Sequence, residues 1–456
     1  LKKREIRTLS GVAPIAVLTK PSNCPGECIY CPTEKGMPKS YLSNEPAVMR
    51  AQLCGFDPFK QVQVRVKALE ANGHATDKVE LIVMGGTWSY FPKQYQNWFI
   101  KRCLDGLNRR KSKNLLSAQK INEKAKHRCI GLTLETRPDY ITPLEIKRMR
   151  ELGCTRVEIG VQCIDDRILK LNKRGITVKQ VIEATKLLKE AGFKVSYHLM
   201  PNLPGSTSAH DFKMFKEIFT NPDFQPDMIK IYPCVVTKNS IIYNWHKKGK
   251  YKPYTDKQLF DLLVKIKKII PPYVRVSRLI RDIPTESIVA GNLISNLRQI
   301  MKERGVKCRC IRCREVRDRT FDLKFKDLEL FVKKYQASNG LEYFLSYEDK
   351  KRETLYAFLR LRVNSNPDPQ IIKVLPELEN SALIREVHTY GRLAALGKKD
   401  KAVQHIGLGK KLIKEAEKIS QQQKIEKMAV IAGIGVREYY QKLGYQLEGS
   451  YMTKSF

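Results

Sequence analysis

Cys24, Cys28 and Cys31 stand in the stretch Cys-Pro-Gly-Glu-Cys-Ile-Tyr-Cys, the spacing C-x3-C-x2-C. Thiolates are soft, charge-donating ligands suited to iron, and three of them can wrap one 4Fe-4S cube. Three local thiolates leave one iron of the cube open. An open iron can be chelated by the amino and carboxylate groups of S-adenosylmethionine (SAM). One electron, supplied by an external donor, then cleaves the sulfonium to give a 5'-deoxyadenosyl radical. The rival is a zinc knuckle that recruits a fourth Cys or His from elsewhere in the chain. A chance gathering is the weakest alternative, because free cysteines seldom cluster without a metal or redox reason.

A second candidate lies at the end of the strand-like run Lys78–Met84, where Gly85-Gly86-Thr87 follows. Paired glycines at a strand end let a ligand approach the backbone closely. Beside a cysteine loop of this kind they are the expected site for the methionine amino group of SAM. Glu135 and Glu158 sit at or within strand-like runs where an apolar residue would be less costly, and Gln162 follows the second of these runs. The two carboxylates are expected to contact ribose or the SAM ammonium, the alternative being sheet-edge groups tied up by nearby arginines.

These residues need a frame. An apolar run over 11–18 precedes the cysteine loop, and strand-like and helix-like segments then alternate to about residue 290. Such βα repetition predicts a parallel sheet in a partial (β/α)6-type TIM barrel, an architecture that keeps its chemistry at the carboxyl ends of the strands. Beyond it, Cys308, Cys310 and Cys313 form C-x-C-x2-C among arginines. This is cramped for a cube but able to give zinc three ligands, with the fourth unassigned. A second cluster or free thiols are the alternatives. Arg275, Arg278, Arg281, Arg309, Arg312 and Arg314 are the candidate phosphate contacts.

From about Thr320 the strand pattern becomes mostly antiparallel. There Gln404-His405-Ile406-Gly407-Leu408-Gly409-Lys410-Lys411 opens a helix. Successive N–H groups and the helix dipole at such a Q-x-x-G-x-G loop can cradle a pyrophosphate. With the following strand and the run Tyr439-Tyr440-Gln-Lys-Leu-Gly444-Tyr445, this reads as the coenzyme A site of an N-acetyltransferase (GNAT) α+β fold. Tyr439 or Tyr440 could protonate the departing thiolate, although plain core packing accounts for tyrosines too. Glu386 and His388 share one face of a strand, and either could position water.

Composition narrows the class. A chain of 456 residues calls for two or three domains. Its 12 cysteines fit metal binding in a reducing, cytoplasmic setting and not a secreted disulfide scaffold. No run is long and apolar enough for a membrane span, and the start at Leu1 is not a signal peptide. Lys and Arg total 84 against 47 Asp and Glu, a formal charge of +37. That excess points to a phosphate-rich partner such as RNA, unless the basic bias is lineage-wide.

The cysteine loop, His-Arg-Cys-Ile-Gly-Leu-Thr-Leu-Glu-Thr-Arg-Pro-Asp at 127–139, Val-Arg-Val-Ser-Arg-Leu-Ile-Arg-Asp-Ile-Pro at 274–284, Gln-His-Ile-Gly-Leu-Gly at 404–409 and Arg-Glu-Tyr-Tyr-Gln-Lys-Leu-Gly-Tyr at 437–445 occur together. In this combination the chain resembles the family of the catalytic subunit of Elongator over nearly its whole length. The family usually carries a further basic, helical extension at its N-terminus. The resemblance implies a radical SAM domain over 1–290, a basic zinc-binding linker over 291–320 and a GNAT-type domain over 321–456. It implies use of acetyl-CoA and SAM to attach a carboxymethyl group to C5 of the wobble uridine, position 34 in the anticodon stem-loop of tRNA. A homodimer or accessory subunits are compatible with it. The alternatives are a protein lysine acetyltransferase with a structural cysteine domain, and an RNA-binding scaffold whose cofactor sites have decayed.

Overall fold

Strand β1 (Ala13–Leu18), β2 (Lys78–Met84), β3 (Arg128–Thr136), β4 (Arg156–Gln162), β5 (Lys194–Leu199), β6 (Met228–Ile231) and β7 (Arg275–Arg278) form one sheet in sequence order. Every neighbouring pair in it is parallel. The computed structural model describes residues 11–316, 328–364, 366–390 and 407–456. Seven strands need six crossovers, and β1 does not pair with β7, so the sheet is a curled, open half-barrel. Central strands buried on both faces, such as β4, require helices outside. Crossover helices begin where a threonine hydroxyl can accept from a first-turn N–H: Thr142, Thr177, Thr207 and Thr255 all do so.

A second sheet has the order β13-β14-β12-β11-β10-β9-β8. Its members are β8 (Leu328–Ala337), β9 (Gly340–Asp349), β10 (Leu355–Val363), β11 (Ser381–Thr389), β12 (Lys427–Val430), β13 (Gln446–Glu448) and β14 (Tyr451–Ser455). All pairs are antiparallel except β11 with β12. That parallel pairing stops at Ile384 and Val430, while β11 continues along β10 to Thr389. The two strands therefore splay, which is the opening expected for a coenzyme A fold. None of the described helices is long and apolar enough to cross a membrane.

The sheets meet through close backbone approaches and a buried charge cluster. A Cβ on Gly433 would stand 2.1 Å from the Ile130 carbonyl oxygen, so only glycine lets the turn after β12 seat on β3. At the foot of β6, Asp227 takes Arg385 Nη1 at 3.0 Å and lies 3.5 Å from Arg360 and 3.9 Å from Lys189. Glu342 takes Arg385 at 2.8 Å and Arg362 at 3.2 Å, and Arg362 also pairs with Glu190 at 2.8 Å. Burial raises the Asp227 carboxyl, but Arg385, Lys189 and Arg360 overcome it and hold it well below the usual range.

We expect Asp227→Asn to destabilise the protein by about 3–5 kcal/mol, because it leaves several buried cations uncompensated. A carboxyl depressed in the folded state contributes stability that is complete above its unfolded pKa of about 4 and is lost as pH falls below it. The variant should therefore show a flatter stability profile than the parent in acid, read by denaturant titration at several pH values. Parallel profiles would exclude this role.

Candidate functional site

Because all seven strands run one way, their carboxyl ends share one mouth of the half-barrel and their amino ends the other. The cysteine loop follows β1, and Gly85-Gly86-Thr87 follows β2. Glu135 lies near the end of β3, and Gln162 ends β4. All of these reach the carboxyl mouth.

The loop is held by backbone bonds that need no metal. Ile29 N–H donates to the Asn172 carbonyl at 3.2 Å, Ile242 N–H to that of Ile29 at 2.9 Å, and Thr33 N–H to that of Asn239 at 2.7 Å. Among the described residues, the triad of Cys, His, Asp or Glu whose ligand atoms all lie within 4.8 Å of one another is Cys308, Cys310 and Cys313. Arg174 lies 3.8 Å from Cys28 Sγ, and Thr87 Oγ1 lies 3.7 Å from Cys24 Sγ. Burial, followed by Cys28, pushes the Cys31 thiol up to about 11, against Ser40, Arg281 and Lys39. The donor set and its cationic neighbours fit a 4Fe-4S cluster.

The two glycines play different parts. A Cβ on Gly85 would lie 2.0 Å from Thr19 Oγ1, so this glycine serves backbone packing. Among the described residues Gly86, at φ +102, has only the Lys39 carbonyl oxygen within 4 Å, at 3.8 Å. Gln162 adopts φ +68, a strained region for a residue with a side chain, and its Oε1 is buried without a partner among the described residues. Both features suit a ligand of SAM's polarity.

Glu158 is committed inside the barrel. It bonds Lys230 and takes His198 Nε2 at 3.0 Å. Burial raises its carboxyl, but Lys230 and then His198 hold it well below the usual range. Glu135 is 3.3 Å from His198 Nδ1 and accepts from the Tyr41 hydroxyl at 3.0 Å. Contact of Glu158 with a ribose or ammonium is therefore disfavoured, whereas Glu135 keeps partial exposure. His198, Lys230 and Tyr41 went unnoticed in the sequence. The signal available was a polar residue at alternate positions of β5 and β6.

At the amino mouth lies a cavity of about 680 Å³ between the two sheets. The half-barrel contributes the strand starts, among them Lys78, Glu80, Arg128, Arg156, Lys194 and Arg275. The second sheet contributes the splayed edges of β11 and β12, with Gly407, Gly409, Lys410, Tyr439 and Tyr440. Gly407 at φ +76 leads into helix Leu408–Gln422, whose first turn has no side-chain cap among the described residues. Its N–H groups are therefore available to an anion. Lys411 N–H bonds back to the Gly407 carbonyl at 3.1 Å. Gln404, His405 and Ile406 lie outside the described residues. The uncapped helix start and the strand splay fit a coenzyme A pyrophosphate and arm.

Glu386 and His388 both line this cavity. Glu386 accepts from Arg360 Nε at 2.9 Å and lies 3.8 Å from Lys194. Burial raises its carboxyl, but Lys194 and Arg360 bring it down to about 2, which makes it an electrostatic anchor and a poor proton acceptor. His388 lies flat against the Phe358 ring, with centroids 5.9 Å apart. Tyr440 is buried against Tyr439 and Tyr445. Tyr439 is half-buried, and its hydroxyl is 3.2 Å from where a Cβ on Gly409 would stand. Tyr439 is the phenol better placed for an acyl thioester.

The arginine band does not hold together. Arg278, paired with Asp282, and Arg281, held by Ser40 and Glu45, belong to the carboxyl mouth. Arg275 is taken by Glu315 at 2.9 Å and Tyr390 at 2.8 Å. Arg314 is buried, bonding Glu348 at 2.6 Å and the carbonyls of Arg309 and Pro272. Arg314 is therefore a corrected expectation, since packing rather than phosphate occupies it. Arg309 is exposed, and Arg312 is half-buried beside Glu315 at 3.0 Å.

Cys308, Cys310 and Cys313 meet the spacing of a single ion, which fits zinc. No fourth ligand joins them among the described residues. Zinc analysis should find about one ion per chain, and Cys310→Ser should lose it with a melting temperature roughly 5 °C lower. An unchanged metal content and melting temperature would refute a structural zinc.

Comparison with known proteins agrees with this layout. Residues 19–217 match the radical SAM superfamily and 226–305 a radical SAM C-terminal domain. A tRNA uridine(34) acetyltransferase of Methanocaldococcus infernus is 49% identical over all of this chain and 87% of its own length. Human Elongator complex protein 3 is 40% identical over all of this chain and 86% of its own. The solved structure of the archaeal Methanocaldococcus infernus Elp3 with an N-terminal deletion superposes with a TM-score of 0.85 at 46% identity. It covers 98% of this chain and 100% of that one. The chain thus belongs to the radical SAM superfamily and, within it, to the family of tRNA uridine(34) acetyltransferases and Elongator complex protein 3.

Proposed function

We propose that the protein modifies uridine 34 of tRNA, attaching a carboxymethyl group at C5 with acetyl-CoA as the carbon source. The observation that carries this reading is the pairing of two cofactor-competent chambers on one half-barrel. One is a mouth that carries three thiols at the spacing of a cluster loop, and the other is a cavity of about 680 Å³ between the sheets, bordered by the start of helix Leu408–Gln422.

A cluster on Cys24, Cys28 and Cys31, with SAM, supplies a carbon-centred radical able to take hydrogen from an unreactive C–H bond. The chain's own residues bind and orient. Gly86 admits the SAM backbone, Gln162 Oε1 offers an acceptor beside it, and Arg174 balances thiolate charge at Cys28. At the other mouth the first-turn amides from Leu408 to Lys410 take the pyrophosphate, with Lys410 and Lys411 adding charge. Tyr439 is the proton donor for a departing thiolate, and the Glu386–Arg360–Lys194 group fixes the local field. Arg278 and Arg309 with the wider positive surface serve tRNA phosphates. An external one-electron donor, a cytoplasmic setting and a structural zinc complete the proposal.

The test is anaerobic incubation with reductant, SAM, acetyl-CoA and tRNA bearing uridine 34, followed by nucleoside mass spectrometry. The expected product is 5-carboxymethyluridine. Acetyl-lysine on a protein substrate with unmodified tRNA would overturn the reading in favour of protein acetylation.

A further inference from the structure

Two short 3-10 helices flank the cysteine loop at the carboxyl mouth, Trp88–Tyr90 after β2 and Pro138–Tyr140 after β3. The first starts beyond Thr87, whose Oγ1 is 3.7 Å from Cys24 Sγ. The second starts beyond Arg137. A Cβ on Gly26 would stand 2.5 Å from Arg137 Nη1, so the cysteine loop rests on that guanidinium. Each helix begins on a buried residue, Trp88 or Pro138, and ends on a tyrosine that reaches the surface. Tyr90 is 46% exposed and Tyr140 half-buried, with ring centroids 6.1 Å apart and planes at 90°. Tyr140 lies within electrostatic reach of Cys24.

The support under these rings is rigid. Gln96 Nε2 donates to the carbonyls of Trp88 at 3.2 Å and Phe91 at 3.0 Å. Thr136 Oγ1 donates to Ser89 Oγ at 2.9 Å, which ties the first helix to the end of β3. Arg137 bonds Asp139 at 2.9 Å and donates to the carbonyls of Arg174 at 3.2 Å and Gly175 at 2.9 Å. All of these bonds come from the surroundings and none from the two phenols. An exposed aromatic pair held in advance loses little further freedom when a ligand covers it.

The surroundings favour a nucleic acid. Exposed Lys20 and Lys93 have no carboxylate partner among the described residues, and Lys20 Nζ lies 5.0 Å from the Tyr95 ring centroid. Of the carboxylates nearby, Asp139 is taken by Arg137, and burial raises that of Glu145 against Ser89, Arg148 and Lys93. The core of a protein interface is depleted of charge, whereas unpaired RNA bases stack on aromatic rings beside cations that meet their phosphates.

We propose that Tyr90 and Tyr140 form a stacking platform for an unpaired nucleobase next to the wobble position, with Lys20 and Lys93 on the adjoining phosphates. This rests on the proposed function for the identity of the RNA. A base held there leaves its neighbour in the loop splayed towards the cysteine loop.

The test is photocrosslinking of the full chain to an RNA hairpin that carries the anticodon loop, with 5-iodouridine on either side of uridine 34. Irradiated iodouracil reacts with an aromatic ring stacked against it, so peptide mass spectrometry should place the adduct on Tyr90 or Tyr140. Adducts only elsewhere would overturn the proposal. Separately, Tyr90→Ala combined with Tyr140→Ala should weaken hairpin binding about tenfold, by fluorescence anisotropy. Tyr90→Phe combined with Tyr140→Phe should stay within about twofold of the parent, because stacking uses the ring face and not the hydroxyl. A fully paired RNA duplex, whose bases are already stacked, should bind the parent and the alanine variant alike, and so should SAM. An unchanged hairpin affinity, or an equal loss for the duplex, for SAM or in the phenylalanine variant, would overturn the platform. These readouts report stacking and binding, so they stand whether or not the parent forms 5-carboxymethyluridine, the outcome on which the proposed function turns.

Discussion

Replacing Cys24, Cys28 and Cys31 together by alanine should lower iron from about four per anaerobically reconstituted chain to below one and abolish cleavage of SAM. The fold should survive, because the loop is tied down by the backbone bonds of Ile29 and Thr33 rather than by metal. A metal-dependent loop would instead lose stability with its ligands. Iron quantification, 5'-deoxyadenosine release and a melting curve on the same samples separate these outcomes. Zinc alone at this loop in protein never exposed to oxygen, or full iron in the variant, would refute the assignment.

Gly409→Val should weaken acetyl-CoA at least 100-fold, about 2.7 kcal/mol. A Cβ there already stands 3.2 Å from the Tyr439 hydroxyl, 3.7 Å from Thr389 and 3.9 Å from Val387. Further methyls would fill the cradle or push Tyr439 out of it. Gly407 differs: its added Cβ meets nothing within 4 Å among the described residues, and its demand is conformational, at φ +76. Gly407→Ala should therefore cost roughly 1 kcal/mol of backbone strain and a smaller loss of affinity. Titration calorimetry with acetyl-CoA distinguishes the two. Parent-like binding by Gly409→Val would place the pyrophosphate elsewhere.

Local chemistry was legible in the sequence wherever neighbouring residues do the work. C-x3-C-x2-C marked the candidate cluster loop, because its three thiols lie within eight residues of chain. The strands of the half-barrel were legible from alternating apolar runs and their spacing. Paired glycines were legible as a special site, yet not their division of labour. That Gly85 packs on Thr19 while Gly86 has only the Lys39 carbonyl oxygen within 4 Å among the described residues depends on a contact 66 residues away. Glu135 and Glu158 stood out as costly residues, but their partners His198, Lys230 and Tyr41 come from 40 to 94 positions distant. Arginine density near Cys308 resembled a phosphate surface, and burial of Arg314 against Glu348 is a tertiary fact.

The amino-acid order by itself determined which candidate chemistries the chain offers: three thiols spaced as for a cluster, a glycine-opened helix suited to a pyrophosphate, and a basic excess suited to RNA. Each depends on residue type and short spacing, which survive any arrangement of the domains. Only the tertiary structure decided where these chemistries lie relative to one another. Parallel strands put every carboxyl end at one mouth and every amino end at the other. The Asp227–Arg385–Glu342 cluster and the bare backbone of Gly433 then seat the second sheet at the amino mouth. Such long-range packing leaves no periodic trace in a sequence, because the partners are set by burial and charge compensation across more than 150 residues.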